Sequence, residues 1–210
     1  MVIYNVLLCL GDSLTTGTRD RYLRNYPLEL ATRLSARTGE EYYCITEAVN
    51  GFTSADLARD AYKIVAAYPD ARGVLLLIGT NDSRDGVPTE LYLDNVTQIV
   101  RSCRILGKKV FVLSIPKIDS RRNYLWYSDQ CNQRIDEYNL VLKALPHVFF
   151  VDIRDVIGDP ELVDGVHFSH EANVRLAEAL TERLYLATID NAPCAAKQSS
   201  LNGAKPKLST

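Results

Sequence analysis

The sequence predicts an α/β fold, in which helices cover both faces of a five-stranded parallel sheet and form a three-layer α/β/α sandwich. Two observations support this prediction: strand-like and helix-like segments alternate five times along the 210 residues, and the strand-like segments are almost continuously apolar. Continuous apolar runs are typical of strands buried on both faces, and the intervening helices supply the right-handed crossovers that parallel strands need. Because no internal repeat is visible, we expect one domain, over residues 1–189.

The strands are predicted from apolar runs that stop at turn residues. The first run, Val2–Leu10, ends in Gly11-Asp12-Ser13, and the third, Gly73–Ile78, ends in Gly79-Thr80-Asn81. The other three strands are predicted at Glu41–Val49, Lys109–Ile115 and His147–Ile153.

The helices are predicted from apolar side chains that recur every three or four residues between the strands. The first helix spans Tyr22–Thr38, and the second begins after Thr53, a helix-capping residue, and runs to about Tyr68. Further helices are predicted from Pro88 to Leu106, from Ser128 to Leu142 and from His170 to Leu184. Residues 116–127 lack such a period, so they are expected to form a long loop.

Composition is that of an ordinary globular domain and argues against two classes of function. Hydrophobic residues make up 47% of the chain and charged residues 24%, and the formal net charge of −2 indicates no basic surface for nucleic acid. No apolar stretch approaches the ~20 residues that a membrane span needs. The apolar run at the start lacks the positive flank and the cleavage site of a signal peptide, so we expect a cytoplasmic protein, as a monomer or homodimer.

The cysteines and the end of the chain are not expected to contribute to a functional site. The five cysteines are widely spaced and form no C-x-x-C pair, which indicates neither a zinc site nor a disulfide framework. Four of them lie in apolar segments, where cysteine packs as a small core residue. Residues 190–210 lose the hydrophobic pattern, and we expect them to be a disordered tail.

Polar residues follow the strands at the edge where parallel sheets bind ligands, outside the carboxyl ends of the strands. Ser13, at a strand-to-helix turn, is the candidate nucleophile, although taken alone it could equally be a helix cap. His167 is the candidate base, because Asp164 lies three residues before it and can reach its ring within one turn. No metal or other cofactor is expected, since no further Cys, His or Glu completes a cluster with these residues and His170.

The same edge offers hydrogen-bond donors for a negatively charged oxygen. The candidates are the backbone N–H groups of Ser13 and Gly51 and the side-chain amide of Asn81. Asp12 is a candidate substrate contact, although a carboxylate at such a turn more often bonds backbone amides. Three aromatic side chains of the long loop could line an acyl or aryl pocket, or could anchor the loop: Tyr124, Trp126 and Tyr127.

The sequence resembles the GDSL family of lipases and esterases, the SGNH hydrolases. Four blocks of that family occur in order, namely GDSL around Ser13, NG at Gly51, GTND around Asn81 and D-x-x-H at Asp164–His167. The resemblance extends from the first strand to the last helix. It implies a flavodoxin-like sheet with the strand order 2-1-3-4-5. It also implies that Ser13, Gly51, Asn81 and His167 are essential, with Asp164 orienting the histidine and no metal involved.

The resemblance further implies a serine esterase or thioesterase that hydrolyses small acyl esters of the lysophospholipase or arylesterase type through an acyl-enzyme. A carbohydrate O-acetylesterase is the alternative with the same fold. A catalytically inactive ligand-binding module is the alternative of another class. The G-x-S-x-G elbow of α/β-hydrolases is absent because Thr15 follows Leu14, and no glycine-rich phosphate loop indicates a nucleotide-binding protein.

Overall fold

Within the residues that the structure describes, five strands form one parallel sheet with the order β2-β1-β3-β4-β5, which confirms the predicted fold. The structure is a computed structural model that describes residues 5–123, 126–158 and 161–190, the last six of them as backbone only. The strands are β1 Asn5–Gly11, β2 Tyr42–Ala48, β3 Ala71–Leu77, β4 Lys109–Leu113 and β5 Phe149–Val151. Tyr124 and residues 191–210, most of the predicted tail, lie outside the described residues.

The fifth strand is shorter than predicted because its neighbouring residues leave the ladder. His147 adopts a left-handed backbone with φ 63°, which an extended strand cannot include. Beyond the strand, the Ile153 N–H donates to the Ser114 side chain at 2.8 Å instead of to a backbone carbonyl. Only Phe149–Val151 therefore pairs with β4.

Helices lie between consecutive strands of the described chain, as the alternation predicted. Their bounds are α1 Ser13–Thr16, α2 Tyr26–Thr38, α3 Ser54–Ala66, α4 Thr80–Asp85, α5 Thr89–Ile105, α6 Asp129–Ala144 and α7 His170–Asp190. Helix α2 starts later than predicted, because the Asn25 side chain accepts the Leu28 N–H and caps the helix there. The short helices α1 and α4 were not predicted, and both follow the end of a strand directly.

Two hydrophobic layers explain why the strands are apolar on both faces. Leu8 and Leu10 of β1 pack into the layer beneath α3, α5 and α6, whereas Cys9 between them packs into the layer beneath α2 and α7. Successive strand side chains point to opposite faces, so a strand covered on both sides needs no polar alternation. In the described part of the chain, no helix has the length and apolar character to span a membrane.

The carboxyl end of β1 packs closely against its surroundings at Gly11. A Cβ atom on Gly11 would overlap both the Leu77 carbonyl oxygen of β3 and the Thr15 side chain of α1. The absence of a side chain therefore lets β1 pass directly into the turn at Asp12 and Ser13.

Replacing Gly11 with alanine should destabilise the fold by about 1–3 kcal/mol or more, because the added methyl group meets backbone that cannot move freely. Urea unfolding followed by circular dichroism measures this loss. Gly73→Ala is the matched control, since its new methyl group would meet the flexible tip of Leu7 at 3.0 Å. An equal loss in both variants would contradict the proposed backbone clash.

Candidate active site

A cavity of about 490 Å³ opens at the carboxyl edge of the sheet. Its lining brings together five residues that the sequence singled out as candidate catalytic groups: Ser13, Gly51, Asn81, Asp164 and His167. A larger groove of about 1120 Å³ follows β5, but Ser13 and His167 do not line it. The smaller cavity is therefore the candidate site.

Ser13, His167 and Asp164 form a continuous hydrogen-bonded chain. The Ser13 Oγ lies 3.0 Å from His167 Nε2, across 154 positions of sequence, and His167 Nδ1 lies 2.8 Å from Asp164 Oδ2. With the proton on Nδ1, the ring donates to the carboxylate and leaves Nε2 to accept the serine proton. This is the geometry of a nucleophile, its base and the group that orients the base.

A tight turn fixes Asp164 against its histidine. The second carboxylate oxygen, Oδ1, accepts the backbone N–H groups of Val166 at 3.1 Å and His167 at 2.9 Å. Burial would raise the pKa of Asp164, but the hydrogen bonds from the His167 N–H and ring outweigh it and lower the pKa overall. The carboxylate therefore stays ionised and can stabilise an imidazolium on His167.

The loop that follows β4 packs against this turn. The Asp119 N–H donates to the Gly165 carbonyl at 2.8 Å, and the Arg122 guanidinium donates to the carbonyls of Leu162 and Val163. Gly165 has φ 86°, and a Cβ atom there would overlap the Asp119 carbonyl oxygen. Residues 119–122 therefore hold in place the turn that carries Asp164 and the candidate base His167.

Ser13 is presented by a one-turn helix whose cap is Asp12. The Asp12 Oδ1 accepts the Leu14 N–H at 2.9 Å, so Asp12 and not Ser13 is the capping residue. A substrate contact for Asp12 does not fit this position, because the residue has no exposed surface and does not line the cavity. Ser13 itself is half-buried and reaches the cavity.

The loop after β2 is tied to this helix, which brings Gly51 to the cavity. The Asn50 Oδ1 accepts the hydroxyl protons of Thr16 at 2.7 Å and Thr18 at 2.9 Å. Gly51 has φ 84°, a conformation that favours glycine, and a Cβ atom there would contact nothing within 4 Å. The backbone conformation, not crowding, therefore explains the glycine.

Asn81 is held with its amide nitrogen toward the strand ends. Its Nδ2 donates to the Phe52 carbonyl at 2.9 Å and lies 3.5 Å from Asp12 Oδ2. Its Oδ1 accepts from the Arg84 guanidinium at 3.2 Å. Arginine can only donate, so this contact assigns the oxygen and nitrogen of the amide.

Sequence reasoning missed the three arginines that line the cavity, Arg19, Arg84 and Arg122. Arg84 lies one helical turn after Asn81 on α4, and this spacing would have indicated it had the six-residue helix been predicted. No comparable pattern marks Arg19 or Arg122, because each is placed by an irregular loop.

The aromatic residues of the long loop divide into two environments. Tyr127 is buried at the cavity wall, and burial raises its pKa to about 12. Trp126 lines the rim with 69% of its surface exposed. Tyr124 lies outside the described residues.

The remaining polar candidates have structural partners. Asp82 is fully buried and accepts both the N–H and the hydroxyl of Ser54, at the start of α3. His170 begins α7 and lies 3.2 Å from the buried Asp20. Within the described residues, no three His, Cys, Asp or Glu side chains are grouped to hold a metal ion.

The sequence profile of the GDSL-like lipase/acylhydrolase family matches residues 9–175. No curated protein sequence matches the chain significantly.

Solved structures with a similar fold include several esterases. The psychrotrophic esterase EstA from Pseudoalteromonas sp. has a TM-score of 0.71 and 18% sequence identity, covering 89% of this chain and 100% of its own. A lipase/acylhydrolase from Enterococcus faecalis has a TM-score of 0.71 and 23% identity, covering 87% and 96%. A catalytic mutant of Axe2, an acetylxylan esterase from Geobacillus stearothermophilus, has a TM-score of 0.71 and 21% identity, covering 88% and 96%. At these identities the likeness shows a shared fold.

Asp12 should make the stability of the protein depend on pH. Its complete burial raises the pKa from 3.8 to about 7, and the nearby Asp82 charge adds to this rise. Between about pH 4 and 7 the unfolded chain releases this proton while the folded chain retains it, so the free energy of unfolding falls as pH rises. Asp12→Asn removes this titration, so the variant should gain stability relative to the wild type over that range, as urea unfolding at several pH values measures.

Asp20→Asn is the control for this experiment. Burial would raise the pKa of Asp20, but hydrogen bonds from the Tyr22 N–H and His170 lower it overall. Its carboxylate therefore stabilises the fold above the unfolded pKa, and Asp20→Asn should lose stability relative to the wild type as pH rises through about 4. A constant difference between Asp12→Asn and the wild type at every pH would refute the role given to Asp12.

Proposed function

The chain belongs to the GDSL-like lipase/acylhydrolase family and is an ester hydrolase, and from this premise we propose that it is a serine esterase for short acyl groups. The observation that carries the proposal is the hydrogen-bonded chain from Ser13 through His167 to Asp164. A serine hydroxyl is a weak nucleophile until a base takes its proton, and here the base is within hydrogen-bond distance.

In the proposed first half-reaction, the Ser13 oxygen attacks the acyl carbonyl while His167 Nε2 takes the hydroxyl proton. The carbonyl oxygen becomes an oxyanion, stabilised by the N–H groups of Ser13 and Gly51 and by the Asn81 N–H that exchanges its long 3.5 Å contact with Asp12 for the oxyanion. The tetrahedral intermediate then collapses, the bond to the alcohol breaks, and His167 gives its proton to the departing oxygen. Asp164 stabilises the imidazolium throughout.

The second half-reaction repeats these steps with water. His167 takes a proton from a water molecule as its oxygen attacks the acyl carbon of the acyl-enzyme. The intermediate collapses, the bond to Ser13 breaks, and the serine oxygen recovers its proton from His167. The carboxylic acid is released and the enzyme returns to its starting state.

The composition of the cavity wall favours a short acyl group over a long one. Its described lining consists of polar side chains and Gly51, together with Trp126 and Tyr127, and contains no aliphatic side chain. A long acyl chain gains about 0.8 kcal/mol per methylene only where apolar surface covers it. Of the activities that the sequence left open, a carbohydrate O-acetylesterase therefore agrees better with this cavity than a lysophospholipase. The fold itself does not decide between them, since lipases and an acetylxylan esterase share it.

Ser13→Ala should reduce kcat for 4-nitrophenyl acetate by roughly 10⁴–10⁶, because the three residues act as a unit. It should also abolish labelling by a fluorophosphonate probe, measured by mass spectrometry of the intact protein. Ser102→Ala is the control, since that serine lies on α5 and bonds the Gln98 carbonyl. If the folded wild type formed no adduct at Ser13, the ligand-binding module would be the better assignment.

The rate should fall as the acyl chain lengthens. Across 4-nitrophenyl acetate, butyrate and octanoate, we expect kcat/KM to decrease at least about 10-fold from the first to the last, because added methylenes find no apolar wall and would take polar side chains of the lining out of water. Rates of Ser13→Ala measured in parallel supply the background. A kcat/KM that rises toward octanoate would instead favour the lysophospholipase-like activity.

A further inference from the structure

The candidate cavity carries an excess of positive charge that the proposed hydrolysis does not use. Arg19, Arg84 and Arg122 line it, whereas Asp164 is the single carboxylate among its described lining residues. The chain as a whole has a net charge of −2, so this positive charge is local. A cleft lined by one sign of charge attracts substrates of the opposite sign.

Arg84 is already neutralised by a neighbouring carboxylate. Its Nε lies 2.6 Å from Asp85 Oδ1 and its second terminal nitrogen lies 3.1 Å from Asp85 Oδ2. A further donor binds the Asn81 oxygen. Arg84 therefore positions the Asn81 amide, and its charge is not available to a ligand.

Arg122 has a fixed orientation and forms no salt bridge within the described residues, although its charge adds to the stronger effect of Arg121 in lowering the pKa of the nearby Asp119. It donates to two neutral carbonyl oxygens, those of Leu162 and Val163. Among the described residues, no carboxylate lies within 4 Å of its guanidinium, and the nearby Asp119 pairs with Arg121 at 2.7 Å. A guanidinium has five N–H donors, so several remain for a bidentate anion.

Arg19 extends the same side of the cavity. Its Nε lies 3.6 Å from Asp164 Oδ2, while 65% of its side chain is exposed. The next residue, Asp20, is buried and accepts the Tyr22 N–H at 2.7 Å and the Asn173 amide at 3.2 Å. The loop that carries Arg19 is therefore anchored, although the side chain itself can adjust to a ligand.

The position of these two arginines identifies the part of the substrate that they would bind. In the proposed mechanism His167 gives its proton to the leaving oxygen, so the alcohol must lie on the histidine side of Ser13. Arg122 binds the two residues before Asp164, and Arg19 contacts Asp164 itself. The carbonyl oxygen points the other way, toward Gly51 and Asn81.

We propose that the leaving alcohol of the natural ester carries an anionic group, a carboxylate, phosphate or sulfate, bound by Arg19 and Arg122. This inference rests on the proposed function and specifies its substrate class. An acyl group with a charge of its own would place that charge away from the two arginines.

Matched acetate esters test the proposal directly. In 4-acetoxybenzoate the leaving phenol carries a carboxylate, and in 4-acetoxybenzamide a neutral amide replaces it. After correction for their rates of alkaline hydrolysis, kcat/KM at about 10 mM ionic strength should be about 10-fold higher for the anionic ester. The ratio should fall toward one at about 0.5 M salt, because salt screens exposed charges.

Variants of Arg19 and Arg122 test whether these two residues cause the preference for the anionic ester. Arg19→Gln should lower the anionic-to-neutral ratio about 3-fold or more, and Arg19→Lys should retain most of it because the charge remains. Arg101→Gln is the matched control, since it removes an exposed arginine from α5 and should not change the ratio. Arg122→Gln tests the second arginine, with circular dichroism and fluorophosphonate labelling to show that the site is still folded.

Two further substrates show whether the two arginines bind an anionic group on the alcohol or on the acyl part of the ester. 4-Nitrophenyl hydrogen succinate places the charge on the acyl group, and 4-nitrophenyl butyrate is its neutral partner. A stronger preference in this pair than in the benzoate pair would overturn the placement on the alcohol, and equal rates within both pairs would overturn anion binding altogether. In either case, loss of activity in Ser13→Ala would leave the proposed function standing. Failure of the folded wild type both to hydrolyse any of these esters and to label at Ser13 would overturn the proposed function as well.

Discussion

In a sheet whose strands all run in one direction, every strand delivers the residues that follow it to the same edge. Ser13 follows β1, Gly51 follows β2, Asn81 follows β3, and the turn with Asp164 and His167 lies beyond β5. The hydrogen bond between Ser13 and His167 joins positions 154 apart, and only the pairing of the strands between them brings these side chains together. A change in strand register would move every one of these groups, so the chemistry depends on the register of the sheet.

Beneath the cavity, buried polar groups fix the reactive ones in place. Asp82 is well satisfied, because Ser54 donates to it twice and Asn95 in turn donates to the Ser54 hydroxyl. Asp12 has fewer partners, a backbone N–H at 2.9 Å and the Asn81 amide at 3.5 Å, and its complete burial raises its pKa to about 7. Holding a carboxyl group under the nucleophile costs stability, and in return it fixes both the helix of Ser13 and the amide of Asn81.

The parts of the structure that were predictable from sequence are those with a repeating or local signal. Fully apolar runs marked the strands, the four family blocks marked the residues that meet at the cavity, and the spacing of Asp164 and His167 marked their contact. The short helices α1 and α4 escaped prediction because four or six residues are too few to show an apolar period. The role of Arg84 was not predicted because helix α4 was not predicted. The positions of Arg19 and Arg122 depend on loop conformations that no local pattern specifies. The excess of positive charge around the cavity was likewise invisible in an overall charge of −2.

The contact between Asp119 and Gly165 joins the loop that follows β4 to the turn that carries the base. Loops around an active site are where insertions accumulate as enzymes of one fold diverge toward new substrates. Here an insertion before Arg122 would shift the histidine along with the loop, whereas Asn123, Trp126 and Tyr127 lie beyond that contact. Diversification of substrate range in relatives of this protein should therefore concentrate in the second half of the loop, around Trp126, while its first half stays constant in length.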